Sequence, residues 1–426
     1  MKLPSLVAAC AACLVLRTAG ASVTAGAVKA FTGVRLIDGT DRPPLDNATI
    51  LVRDGRIADA GRAVMVPPGA ERVALDGKTA IPGLVNAHGH VGDTAGLDAG
   101  RYSADNVRRD LRLYADYGVT TVFSLGGDQA PSFAIRDGQR TPSLDRARLF
   151  VAGPVLAPKT PDEARRLVAE DASMKVDVVK IRVDDNLGTT PKMPAEVYRA
   201  VIDEAHTRGL RVAVHLFYLA DAKSVLDAGA DFIAHSIRDA EVDDALIAAL
   251  KRRSVCVCPT LMREVSTFVY ESTPAFFSDA FFLKHASPLV MAALDDPARQ
   301  EAMRKSPAAQ RYKIALEVAQ RNLKKLADAG VTIAMGTDTG PPARFQGYFE
   351  HMELELMAKA GLTTRQVLAS ATRDAATCMK LDNEVGTIEP GKWADFIVLT
   401  ADPLADIRNT RAIDSVWIAG NRVAGR

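Results

Sequence analysis

The 426-residue chain carries almost no excess charge: 53 lysines and arginines stand against 52 aspartates and glutamates. A formal net charge of +1 leaves no electrostatic footprint for nucleic acid or an anionic membrane surface. Cysteine is scarce, with five residues and no zinc-ribbon spacing, which excludes a small fold stapled by disulfides. There is no short internal repeat and no low-complexity tract. The N-terminal apolar run, Leu6–Leu16, is too short to cross a bilayer. Charged residues make up 25% and hydrophobic residues 48%, ordinary values for a folded chain with a sizeable core. Histidine numbers only seven, so the places where it falls are informative.

Met1-Lys2 leads into the apolar run, and Ala19-Gly20-Ala21 follows it as a small-x-small cleavage pattern. Residues 1–21 therefore read as a secretory signal peptide, implying a periplasmic or secreted protein, although Arg17 stands late for such a segment. No cysteine directly follows the run, which argues against a lipid anchor. Cys10 and Cys13 would leave with the signal; Cys256 and Cys258, two apart on one strand face, and Cys378, on a helix, are expected as buried structural thiols.

Between Val28 and Ala80 short β segments are punctuated by Asp38-Gly39, Asp54-Gly55 and Asp76-Gly77, a pattern of antiparallel hairpins. Trp393–Leu399 and Ile413–Ile418 repeat the β character near the C-terminus. Residues 22–80 and 381–426 are thus expected to build one small β-sandwich from both termini. Residues 81–380 differ, with strands alternating with helical stretches such as Ala104–Tyr117, Pro161–Met174 and Pro194–Arg208. Eight strands are expected, beginning near Leu84, Val119, Arg148, Val176, Leu210, Asp231, Val255 and Val331. Repeated βα units call for parallel strands, and eight close as a (β/α)8 TIM barrel, an α/β fold with its active site at the C-terminal strand ends.

Ionisable residues gather at those ends. Ile81-Pro82-Gly83-Leu84-Val85-Asn86-Ala87-His88-Gly89-His90 ends the first strand in His-x-His, which points two imidazoles to one side. Lys180 lies near the end of the fourth strand, His215 ends the fifth, His235 the sixth, and Asp338 follows the eighth. Four of the seven histidines at strand ends are hard to explain by packing.

This set resembles the amidohydrolase superfamily in its two-metal form, in which a lysine is carboxylated by carbon dioxide. The likeness covers nearly the whole chain after the signal, including the closing segment Gly386-Thr387-Ile388-Glu389-Pro390-Gly391-Lys392-Trp393-Ala394-Asp395. Within the superfamily the chain is most similar to the imidazolonepropionase-like and prolidase-like group, which includes Xaa-Pro dipeptidases and an ochratoxin-hydrolysing amidase. The resemblance implies that His88, His90 and Asp338 hold one divalent metal and His215 and His235 another, bridged by carboxylated Lys180. A lysine ammonium cannot ligate a cation, whereas its carbamate is an anionic bridge with two oxygens. Zinc is the default for imidazole and carboxylate ligands, with Mn, Co and Fe as alternatives. Two metals about 3.5–4 Å apart can share a hydroxide and polarise a carbonyl, with Asp338 passing the proton to the leaving amine. The implied activity is hydrolysis of an amide or peptide bond in a dipeptide or N-acyl amino acid, and similar enzymes often form homo-oligomers.

Other residues are weaker candidates. Tyr218, three after His215, could stabilise a tetrahedral oxyanion. Arg182 shares a strand face with Lys180 and could bind a substrate carboxylate, with Arg344 and Arg263 as rivals. His206 reads as a solvated helix residue, and His285 and His351 as surface or core residues. Residues 261–309 form a long insertion rich in aromatics, expected to pack over the mouth like a lid or to contact another subunit. An esterase, lactonase or phosphotriesterase would use the same ligands. A deaminase fits less well, since His215-Leu216-Phe217-Tyr218 lacks the expected His-x-x-Glu. A non-catalytic binding protein fits an intact ligand set poorly.

Overall fold

A computed structural model describes residues 28–425; the signal peptide expected at 1–21 lies outside the described residues. The N-terminal part contributes β1 (Val28–Leu36), β2 (Leu45–Arg53), β3 (Arg56–Gly61), β4 (Glu71–Ala74) and β5 (Thr79–Pro82). The central part contributes β6 (Leu84–Gly89), β7 (Val119–Ser124), β8 (Arg148–Val151), β9 (Val155–Leu156), β10 (Val179–Arg182), β11 (Val212–His215), β12 (Phe232–Ala234) and β13 (Cys256–Cys258). The C-terminal part contributes β14 (Phe396–Leu399), β15 (Ile413–Ile418) and β16 (Asn421–Gly425).

Strands from both ends join one mixed sheet of eight, ordered β16-β15-β14-β5-β1-β2-β3, with β4 also paired to β1. The two ends meet where β14 runs antiparallel to β5, Phe396 opposite Pro82. Phe31 packs edge to face against both Phe396 and Trp417, which stack on each other. Asp54-Gly55 forms the expected hairpin between β2 and β3, with both residues at positive φ. Asp76-Gly77 does not form one: β4 and β5 both run parallel to β1, opposite residues 29–32 and 35–36. That turn only offsets the chain along one neighbour, and the Asp76 carboxylate fills the space where a side chain at Gly33 would stand.

The central part is α/β with parallel strands, β6-β7-β8 in one sheet and β9-β10-β11-β12-β13 in another. The expected last strand at 331–336 is thin. It is represented by isolated parallel bridges, Val257 to Ile333 and Gly89 to Thr339, and by Ala87 N donating to Met335 O at 2.9 Å. Residues on these strands alternate between two apolar clusters. Val179, Ile181, Val212, Val214, Ile233 and Val257 pack with helix residues such as Val168 and Val201. Val85, Val178, Ala213, Phe232, Cys258 and Ala334 form the other cluster. Lys180 shares the Val178 face, so its ammonium enters a region enclosed by strands.

The cysteine expectation is corrected. Cys256 and Cys378 form a disulfide across 122 residues, tying β13 to the helix Arg373–Cys378, and only Cys258 is free and buried among the described residues. Their Cα atoms lie 5.9 Å apart, well within bonding reach. No helix among the described residues is long and apolar enough to cross a membrane.

Candidate metal centre

His88, His235 and Asp338 converge at the strand ends: one ligating atom from each lies within 4.8 Å of the others, and all three residues are buried. The backbone departs from regular strand at each. The β6–β7 register shifts between Asn86 and Gly89, a local irregularity of the kind that re-aims side chains. His235 has φ of 77° and Asp338 of 58°, left-handed values that only a small share of non-glycine residues adopt. Ala234 lies in the enclosed cluster, so strict alternation would turn His235 outward, and the left-handed backbone brings its ring back. The His235 ring centroid then lies 4.6 Å from that of His88 and 4.2 Å from that of His215. His235 Nδ1 bonds Thr260 Oγ1 at 2.7 Å, leaving Nε2 free.

Asp338 is the electrostatic hub. Its Oδ1 lies 2.8 Å from His90 Nε2 and 3.4 Å from His88 Nε2, and its Oδ2 accepts from Arg344 Nη1 at 2.5 Å. Burial raises the affinity of its carboxylate for a proton, but the Arg344 charge and the His90 hydrogen bond outweigh this and hold its pKa well below the usual range. Burial, reinforced by Lys180, keeps His88 far below an ordinary histidine, so the ring is neutral and able to ligate. Burial likewise holds His235 low and brings His215 down to about 3.

Lys180 Nζ is buried with no hydrogen-bond partner among the described residues, and so is His88 Nδ1. Burial pushes the Lys180 ammonium down to about 8, against the pull of Asp338. The neutral rings of His88 and His235 and the ionised Asp338 carboxylate fit a cation site, and the Lys180 amine stands beside them without a partner among the described residues.

Most of the remaining residues singled out in the sequence turn to partners outside this group. His215 Nε2 lies 2.9 Å from Asp184 Oδ2. Arg182 also turns to Asp184, at 2.9 Å, and Tyr218 donates its hydroxyl to Asp185 Oδ1 at 2.8 Å beneath the Lys192 ammonium. Arg263 is buried against Glu264 and the Tyr312 ring. His206 is exposed beside Asp231, and His351 is buried between Tyr117 O and Thr410. His285, Phe282, Arg344, Phe345 and Arg109 line a cavity of about 260 Å³, so the 261–309 segment walls a space beside Asp338's partner Arg344. Much of that segment packs into an aromatic cluster with Tyr117, Tyr348 and Phe349.

Two acidic residues escaped the sequence reading. Asp184 is held low despite burial by His215 and Arg182; its place four after Lys180, beyond the strand end, was the available signal. Glu350, on the helix Tyr348–Lys359, is buried behind Asp338 and accepts from Asn86, Thr337 and Thr339, with nothing in the local pattern to mark it.

An uncharacterized protein of Mycobacterium tuberculosis is 30% identical over 241 residues, which cover 54% of this chain and 62% of that relative's length. The imidazolonepropionase of Streptomyces avermitilis is 25% identical over 386 residues, covering 89% of this chain and 87% of that enzyme. A Xaa-Pro dipeptidase structure with methionine bound in its active site aligns with a TM-score of 0.76 at 21% identity, covering 93% of this chain and 99% of the other. Ochratoxinase of A. niger aligns at 0.72 and 18% identity, covering 94% and 96%. At these identities the two structures show the fold. The sequence pattern of the amidohydrolase family matches residues 79–423, from β5 through the whole parallel-stranded part to β16, and the chain belongs to that family.

Proposed function

We propose that the protein is a binuclear metallohydrolase that cleaves a carbon–nitrogen bond in a dipeptide or an N-acyl amino acid. The observation that carries this is the buried, unpaired Lys180 amine beside His88, His235 and Asp338. The imidazolonepropionase and Xaa-Pro dipeptidase likenesses support the same bond class. The bridges at Ile333 and Thr339 support reading the parallel strands as a closed (β/α)8 barrel over residues 81–380, with the terminal sheet (β1–β5 and β14–β16) as a small sandwich and 261–309 as a lid.

In this reading His88, His90 and Asp338 would hold one divalent cation and His215 and His235 a second. Lys180 Nζ would bond the carbon of carbon dioxide and release a proton, leaving an anionic carbamate between them. When bound, two such ions, zinc by ligand type, lower the pKa of water and polarise the scissile carbonyl. Asp338 takes a proton from the attacking water and delivers it to the leaving nitrogen, yielding a free acid and an amine. Tyr218 would leave Asp185 to donate to the developing oxyanion, and Arg344 or Arg182 would take a substrate carboxylate. The disulfide supports a periplasmic or secreted site, since such bonds persist in oxidising compartments. N-terminal sequencing of exported protein checks this, and a mature start at Met1 would remove it. A homo-oligomer is checked by light scattering.

The decisive test combines metal analysis, the mass of the metal-loaded native protein before and after acid denaturation, and a hydrolysis screen over dipeptides, N-acyl amino acids and esters. Two metals per chain, a mass heavier by one carbon dioxide and amide turnover are expected. Lys180→Ala should hold fewer than two metals and be nearly inactive, with partial rescue by short carboxylic acids. Two metals and full turnover in Lys180→Ala would remove the bridge and favour a mononuclear mechanism.

A further inference from the structure

Asp338 adopts a left-handed backbone conformation, and its amide donates to His88 O at 2.6 Å. A non-glycine residue held there must be constrained by its surroundings. The constraint visible beside it is a cluster of side-chain hydrogen bonds centred on Glu350, which is fully buried. Glu350 Oε1 accepts from Thr337 Oγ1 at 2.6 Å and from Thr339 Oγ1 at 2.6 Å, the residues on either side of Asp338. The same oxygen accepts from Asn86 Nδ2 at 2.6 Å, and Asn86 Oδ1 in turn accepts from the backbone amide of His88 at 2.9 Å. Tyr114, also buried, reaches Thr339 Oγ1 at 2.7 Å.

The two hydroxyls also meet each other, Thr337 Oγ1 to Thr339 Oγ1 at 2.8 Å, and Asn86 Nδ2 and Thr339 N donate to Thr337 Oγ1 at 3.1 and 3.2 Å. Oε1 of Glu350 thus gathers three side-chain partners, while Oε2 has none among the described residues.

We infer that Glu350 is a positioning residue for the metal centre: one carboxylate oxygen clamps the Thr337–Thr339 turn and, through Asn86, the His88 strand, so that Asp338 and His88 are set before a cation arrives. The inference rests on the metal-centre reading. Outer partners of this kind are worth about 10–100-fold in metal affinity or activity. Simple packing would give a different signature, namely lowered stability with unchanged affinity in the protein that remains folded.

The test uses the full-length zinc-loaded protein and follows zinc transfer to a chelator, beside melting curves. Glu350→Ala, while still folded, should lose zinc about 10–100-fold more readily. Glu350→Gln keeps an acceptor at the Oε1 position but leaves its amide protons without an acceptor at the Oε2 position, so it should retain zinc better than Glu350→Ala while melting below the wild type. Where Glu350→Ala does not fold, Thr337→Val with Thr339→Val removes two of the three donors and should weaken retention in the same direction. Wild-type zinc retention in folded Glu350→Ala, or in the double threonine variant, overturns the inference. A wild-type chain that takes up no zinc overturns the metal-centre reading and this inference with it.

Discussion

The backbone at His88 and on either side of Asp338 is held in a lattice of buried side-chain hydrogen bonds reaching back to the helix Tyr348–Lys359, whereas His215 and His235 rest at the ends of β11 and β12, each ring beside one side-chain partner. The partner of His235 is Thr260, a neutral hydroxyl. The partner of His215 is Asp184, a carboxylate shared with Arg182 and with the amide of Asn186. The first side resists reorientation because several elements must yield together; on the second, one side chain decides where each imidazole points. A centre organised this way places Asp338 on the rigid side and leaves the Asp184 side adjustable.

The contrast is broken most strongly at Asp338. Asp338→Asn keeps a ligand of the same shape within reach of Arg344 and His90 but cannot carry a proton, so turnover should fall by about 10²–10⁴. Steady-state kinetics beside zinc content checks this; near-native kcat with metal retained would remove Asp338 as the proton carrier. Asp184→Ala sharpens the contrast from the other side. Without its carboxylate His215 should swing more freely, and zinc per chain after dialysis should reveal an affinity lowered about 10–100-fold, with the stronger site retained. Unchanged retention would mean that β11 alone orients His215. The smallest effect belongs to Tyr218→Phe. Removing an oxyanion donor costs about 2.7–4 kcal/mol, but this hydroxyl first gives up a bond to a carboxylate worth about 1.5–3 kcal/mol. The remainder predicts a fall in kcat of about tenfold at unchanged zinc content, and no fall would leave Tyr218 as a rim residue tied to Asp185.

The parallel strands and the inward face of Lys180 were legible in the sequence because both follow from period-two alternation: Val178 and Lys180 share a face, Val179 and Ile181 the other. Spacing also marked His88, His90, His215, His235 and Asp338 as a group. What alternation could not supply was the backbone at His235 and Asp338, where left-handed φ values overrule it. Nor could it supply partners brought together only by the fold: Glu350 lies 264 residues from Asn86, and Cys378 lies 122 from Cys256. The Asp76-Gly77 turn was misread for a related reason, since Asp-Gly marks a reversal or an offset equally well until the neighbouring strand is known.

The interleaving of the two chain ends bears on how the molecule emerges from a ribosome or a translocon. β5 lies between β1 and β14, and β14 begins at Phe396, more than three hundred residues after Pro82. Until that distant strand has been delivered, β5 keeps an open edge of unpaired amides and carbonyls, the kind of edge that recruits foreign strands. Pro82 at its end donates no amide, which blunts part of that edge. β5 also runs within two residues into β6, the strand that bears His88. A chain released without its last thirty residues would therefore carry the histidine pair on a tether lacking one of its flanking strands, and quality control by proteases would meet that defect at the start of β6, at the opposite end of the strand from His88.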